Sequence, residues 1–147
     1  KVGEVNVVEE MKRTNAVIGG EGNGGIIYPD LHYGRDALVG VALFLSLIAE
    51  RNIKVSKLKS SYPLYFMCKQ KINLDSKINI ESIFRSLKIK FKTFDILTID
   101  GIKINFKDSW IHLRKSNTES IIRVITEAKS EEEAKKLALK FIQEIKK

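Results

Sequence analysis

Between Leu113 and the alternating run Ile121 to Ala128, the chain reads Arg114-Lys115-Ser116-Asn117-Thr118-Glu119-Ser120. One short turn between strand-like segments thus carries a guanidinium, hydroxyls, a side-chain amide and backbone N–H groups. This set suits a phosphate dianion: Arg offers two parallel donors in a fixed fork, and Ser116, Asn117 and Thr118 can close around the remaining oxygens. Lys would supply only a point charge. A plain polar hairpin loop uses the same residue types, and Asn117 also suits a turn because Asn tolerates a left-handed backbone. A second segment lies upstream, Val17-Ile18-Gly19-Gly20-Glu21-Gly22-Asn23-Gly24-Gly25-Ile26-Ile27. Its glycines let a ligand approach the backbone with no Cβ in the way, and only Glu21 and Asn23 carry functional side chains.

The two loops together resemble the alpha-D-phosphohexomutases, the family of phosphomannomutase, phosphoglucomutase and phosphoglucosamine mutase. In that family a Gly-Glu-x-Ser/Asn-Gly loop holds sugar hydroxyls, and an Arg-x-Ser-Asn-Thr loop holds the substrate's non-reacting phosphate. The resemblance runs over nearly the whole chain, taking in Arg35-Asp36 at a helix start, Asp100-Gly101 in a hairpin turn, and Arg123-Val124 leading to Glu127-Ala128. It implies that Gly20, Glu21, Gly22 and Asn23 bind the sugar and that Arg114, Ser116, Asn117 and Thr118 bind phosphate. Arg123 is a further candidate, the alternative being that it only lines the outer face of its strand. The implied activity is intramolecular phosphotransfer, an isomerase reaction between hexose 1-phosphate and 6-phosphate.

The same resemblance places the reacting phosphoserine and the Mg2+ site on other, N-terminal domains of the enzyme, with a hexose 1,6-bisphosphate as intermediate. No matching nucleophile segment and no Asp-x-Asp-x-Asp metal loop occurs in this sequence. The chain alone is therefore expected to hold no catalytic residue and no metal, and to be inactive. Glu21, as a carboxylate, can accept from two adjacent pyranose hydroxyls; a general-base role is the competing idea. The sequence also departs from many family members, with Asn23 for Ser, Gly25 for His and Ser120 for Pro. Mannose, glucose and glucosamine phosphates thus stay open as substrates.

Composition narrows the alternatives. The 147 residues are 44% hydrophobic and 30% charged, which suits a folded chain of one or two small domains. A binding-only phosphosugar or nucleotide module is one rival reading. A basic nucleic-acid-binding domain is another, prompted by the net charge of +8. The lysines are scattered singly through amphipathic segments and no recognition motif accompanies them, so no nucleic-acid partner is expected. The longest apolar stretch, Ala37 to Ala49, is shorter than the roughly 20 residues a bilayer needs, and no membrane partner is expected either. Lone Cys68, in an alternating segment, reads as an inert half-buried thiol, and His32 and His112 lack partners at metal-ligand spacing. A cytoplasmic setting is expected. The chain opens without Met and directly in a helical pattern, from which preceding domains of the same enzyme are expected as partners.

The elements that must position these loops follow from periodicity. A helix is expected at about 3–13, a buried strand at Ala16 to Ile18, a returning strand at Gly25 to Tyr28 and a connector at Pro29 to Tyr33. Arg35-Asp36 should open a helix reaching about Arg51, apolar nearly all round and so buried on more than one side, with a preceding N-terminal part of the protein expected to supply the partner for that burial. Ser56 should cap a short helix ending before Tyr62-Pro63. Residues 1–62 read as the tail of an α/β domain carrying the sugar loop, and residues 63–147 as an α+β phosphate-binding domain. Within the latter, strands are expected at about 64–71, 95–99, 102–106, 110–115 and 121–128, with helices at about 80–88 and from Ser130 onward. Ser130 with Glu133 makes a capping box. The resemblance implies a TATA-binding-protein-like fold for this domain, an antiparallel sheet with two helices on one face; DNA binding does not follow from it.

Overall fold

The computed structural model describes residues 1–74, 79–116 and 118–145. They form two compact units, Lys1–Pro63 and Leu64–Lys147.

In the first unit α1 spans Glu4–Thr14, with Glu4 in its first turn and Lys12 and Arg13 in its last, each favoured by the helix dipole. Asn15 ends it in a left-handed conformation, φ 50°. Strands β1 (Gly19–Gly20), β2 (Ile26–Tyr28) and β3 (His32–Arg35) follow as a three-stranded antiparallel sheet in that order. Two expectations change here. The first strand begins at Gly19 and not at Ala16, because the Ala16 N–H is spent on the Met11 carbonyl (3.0 Å) at the end of α1. The end of the expected connector, His32 and Tyr33, already belongs to a strand, since a turn closed by Leu31 N–H to Tyr28 O (3.0 Å) folds His32 back beside Tyr28.

Helix α2 spans Ala37–Glu50 and is capped by Asp36, whose Oδ1 accepts from Leu38 N (2.8 Å) and Val39 N (3.0 Å). The Val39 N–H, then His32 and the Leu38 N–H, hold the Asp36 carboxyl below its ordinary range. Gly40 lets α2 lie on β2: a Cβ there would stand 2.9 Å from Ile26 Cγ1. Burial on more than one side is not observed. No α2 residue is fully buried, and Leu38, Val41 and Leu45 are exposed; among the described elements of this unit β2 is the main one packed on α2. Helix α3 spans Val55–Ser60; Lys54 precedes it without a side-chain cap, and Ser56 lies inside it, since the Lys54 carbonyl already takes both Lys57 N and Leu58 N.

The second unit contains β4 (Phe66–Asn73), α4 (Ile80–Lys90), β5 (Asp95–Leu97), β6 (Ile102–Asn105), β7 (Trp110–Lys115), β8 (Ile121–Ala128) and α5 (Glu131–Ile145). The strands make one antiparallel sheet in the order β4-β8-β7-β6-β5. Alternation along β6, β7 and β8 sends Ile102, Ile104, Ile111, Leu113, Ile122 and Val124 into a core closed by Leu87 of α4 and by Ala138, Phe141 and Ile145 of α5. Phe91 stacks on Phe141 with ring centres 5.1 Å apart. Ser130 Oγ accepts from Glu133 N (3.2 Å), which starts α5 where the capping box requires. The chain is thus α+β, as expected. Boundaries move by a few residues: β4 runs on to Asn73, and β5 stops at Leu97.

Candidate functional site

In the second unit the phosphate-like loop closes the end of the β7–β8 hairpin. Ser116 N–H donates to Ile121 O (3.0 Å), and Ile121 N–H to Glu119 O (2.9 Å). Ser116 is 6% exposed, and its hydroxyl accepts from Thr118 N (3.4 Å) and Glu119 N (3.3 Å). A Ser side chain bonded to following N–H groups is a turn brace. Thr118 Oγ1 lies 3.5 Å from Ser116 Oγ, and Thr118 is exposed. Asn117 lies outside the described residues.

Arg114 is the last residue but one of β7, just before this turn. Its Nη1 donates to Asp100 Oδ2 at 3.2 Å, and its buried Nε donates to no described residue. Asp100, Gly101, Arg114 and Lys115, with Asn79, Ile80, Glu81 and Phe84 of the α4 region, line an open cavity of about 560 Å3. In the sheet register Arg114 stands directly opposite Arg123, and Arg123 opposite Lys71. Like charges placed opposite one another on neighbouring strands repel. Arg114 is offset by Asp100, and the exposed Arg123 by Glu119 (3.0 Å). The arrangement concentrates positive charge beside the turn.

The glycine loop lies in the first unit, between β1 and β2. Glu21 N–H donates to Gly25 O (3.0 Å) and Gly24 N–H to Glu21 O (3.0 Å), which makes a closed turn with Gly24 at φ 94°. No Cβ fits at Gly20, where it would stand 2.5 Å from the Gly25 carbonyl oxygen, whereas Gly22 is open on all sides. Half-buried Glu21 has one oxygen on Gly3 N–H (3.1 Å), the residue preceding α1, and the other 3.5 Å from Asn23 Nδ2. Asn23 Oδ1 in turn accepts from Gly25 N (3.1 Å). Glu21 therefore anchors the first turn of α1 as well as presenting a carboxylate, and each of its oxygens keeps a lone pair.

The comparisons with known proteins decide the family. The model of "Phosphoglucomutase/phosphomannomutase, alpha/beta/alpha domain III" matches residues 1–65, and that of "Phosphoglucomutase/phosphomannomutase, C-terminal domain" matches residues 69–144. The chain belongs to the phosphoglucomutase/phosphomannomutase family. A phosphoglucosamine/phosphogalactosamine mutase of Sulfurisphaera tokodaii is 39% identical over 139 residues, covering 93% of this chain and 30% of the relative. A phosphoglucomutase/phosphomannomutase of Thermococcus kodakarensis is 38% identical over 98% of this chain and 32% of its own length. Among solved structures, a phosphoglucomutase/phosphomannomutase family protein of Burkholderia thailandensis aligns with a TM-score of 0.77 at 26% identity, covering 97% of this chain and 31% of that one. The chain thus spans roughly a third of the relatives it matches.

Among the described residues no group of three or more His, Cys, Asp and Glu side chains could hold a metal ion. These residues do not fit a Mg2+ site, and no metal step is assigned to them. No helix among them is long and apolar enough to cross a membrane. Two features of the site were not read from the sequence. In sequence Asp100 reads only as a turn residue, although a hairpin turn beside β7 places it next to Arg114. The Gly3–Glu21 bond joins the chain start to the glycine loop and leaves no local sequence signal.

Proposed function

We propose that this chain is the C-terminal part of a phosphohexomutase that interconverts hexose 1-phosphate and hexose 6-phosphate through a phosphoserine and a bisphosphate intermediate. One observation carries the reading: a partly buried guanidinium, Arg114, stands near the end of β7 beside a turn whose N–H groups are organised on the Ser116 hydroxyl. An anion docking there would meet a fixed fork and a pre-formed turn, so little ordering remains to be done on binding.

In this proposal Arg114, Ser116, Asn117 and Thr118 hold the non-reacting phosphate, and Arg123 adds charge from the neighbouring strand. Glu21 and Asn23 accept and donate to sugar hydroxyls, with Gly20 and Gly22 leaving the backbone accessible. The Mg2+ and the phosphoserine belong to the enzyme's other domains, which are the chain's proposed partners, and the metal would offset charge on the phosphoryl group in transfer. Because the bisphosphate must react from either end, one phosphate loop and one hydroxyl loop have to serve both orientations. The hydroxyls recognised are then mid-ring ones that approximately exchange places when the sugar turns round. The relatives' names cover glucosamine, galactosamine, glucose and mannose mutases, and this chain's enzyme is proposed to act within that group, in the cytoplasm.

The test is Arg114→Lys in the complete enzyme. It keeps the charge and loses the fork, so kcat/KM for the preferred hexose 1-phosphate should fall about ten- to 150-fold, the equivalent of about 1.5–3 kcal/mol, with the thermal midpoint nearly unchanged. Unchanged efficiency would remove Arg114 from the site.

A further inference from the structure

The turn to which Asp100 belongs is fastened to the strand that presents Arg114. Gly101 has φ 74°, and a Cβ on it would stand 2.1 Å from the Leu113 carbonyl oxygen, so the turn backbone lies directly on β7. His112 Nε2 is 2.6 Å from the Asp100 carbonyl oxygen, which can only accept, so the ring donates there. Asp100 Oδ2 then takes Arg114 Nη1 at 3.2 Å, with the two side chains 23% (Arg114) and 29% (Asp100) exposed. Three consecutive residues of β7, at 112, 113 and 114, are thus engaged by one dipeptide.

We propose that Asp100 is a positioning residue for the substrate phosphate, acting through Arg114; this rests on the phosphate reading given above. A free arginine side chain samples many rotamers, and a ligand that must select one of them binds less tightly. The Asp100 carboxylate selects one in advance. It uses a single N–H of the five on the guanidinium, which leaves donors for two phosphate oxygens. It also places a negative charge beside Arg114 where Arg123 stands opposite, so both cations can stay at the site before any anion arrives.

The prediction is kinetic. A group that holds a non-reacting phosphate binds ground state and transition state alike, so weakening it raises KM and leaves kcat nearly unchanged. In the complete enzyme, Asp100→Ala should raise KM for hexose 1-phosphate about tenfold, and raise Ki for inorganic phosphate in parallel. Asp100→Asn keeps the shape and one acceptor and should fall between Ala and native; it also serves should the Ala variant fold poorly. In an Arg114→Lys background, Asp100→Asn and Asp100→Ala should each add less than about twofold, because the group they act through is already altered. Equal losses in both backgrounds, or native KM and Ki for both Asp100 variants beside an impaired Arg114→Lys enzyme, would overturn the positioning role. Native KM and Ki for Arg114→Lys itself would instead overturn the phosphate reading, and this inference with it.

Discussion

Replacing Glu21 tests whether its carboxylate is a sugar ligand, a brace for α1, or both, and the structure separates the two effects. Oε1 accepts the Gly3 N–H at 3.1 Å, so Glu21→Ala leaves an N–H at the α1 start without its anionic partner. A hydrogen bond to a charged group contributes about 1.5–3 kcal/mol, less where solvent can replace it, so a loss of about 1–2 kcal/mol of stability is expected at this half-buried position. Glu21→Gln keeps one acceptor for Gly3 and should cost less than half of that. The catalytic loss is separate. If two hydroxyls lose their acceptor in a closed site, Ala should lower kcat/KM by a further 1–3 kcal/mol relative to Gln, about five- to 150-fold. The assays are urea unfolding and steady-state kinetics on the complete enzyme, with a substrate deoxygenated at one contacted position as control. The deoxy sugar should react poorly with the native enzyme and suffer less from Glu21→Ala than the parent sugar does. Equal cost to both sugars would mean that Glu21 does not touch that hydroxyl, and a loss of stability with unchanged kinetics would leave only the brace. If Gln and Ala both abolished transfer while binding stayed intact, Glu21 would be a base.

Two further outcomes are expected. The Asp36 carboxyl is held below its ordinary value of 3.8, first by the Val39 N–H and then by His32 and Leu38 N–H. Its contribution to stability is therefore fully present above the ordinary carboxylate range and is lost as pH falls through the lower folded-state value. Asp36→Ala should lower the urea midpoint at neutral pH, and the gap to the native protein should narrow on acidification; a gap constant between pH 7 and the acid range would refute the cap. As for the charge of +8, duplex and single-stranded oligonucleotides should bind weakly and lose most affinity between low and physiological salt. Sub-micromolar binding that survives physiological salt, measured by fluorescence anisotropy, would revive the nucleic-acid reading.

Periodicity made the second unit legible. Ile122 to Ala128 alternates in burial because one face meets the core, and Ser130 with Glu133 marks the start of α5 because capping is a local hydrogen-bond requirement. In the first unit only β2 carries a strand signal, whereas β1 and β3 are made by backbone pairing of residues that carry none. Gly19 and Gly20 lack side chains, and His32-Tyr33-Gly34-Arg35 has no apolar alternation; register with β2 alone makes them strands. The apolar residues of α2 imply burial, but burial depends on what is packed there, and among the described residues β2 is the main element on it, the rest of the expected cover lying with a part outside this chain. At the site, residue types and spacing pointed to Arg114, Ser116 and Glu21 as candidates. Their present partners, Asp100, the turn N–H groups and Gly3, are set by tertiary register and by folding-back of the chain, which spacing does not encode.

The most direct measurement is a crystal structure of the complete enzyme with a bound hexose phosphate. The account predicts one phosphate with two oxygens within about 3 Å of the Arg114 guanidinium and further contacts from the 116–118 turn, and a pair of ring hydroxyls on the Glu21 carboxylate. Asp100 should remain on Arg114. A phosphate held elsewhere, with Arg114 still engaged only by Asp100 and Glu21 only by Gly3 and Asn23, would contradict it.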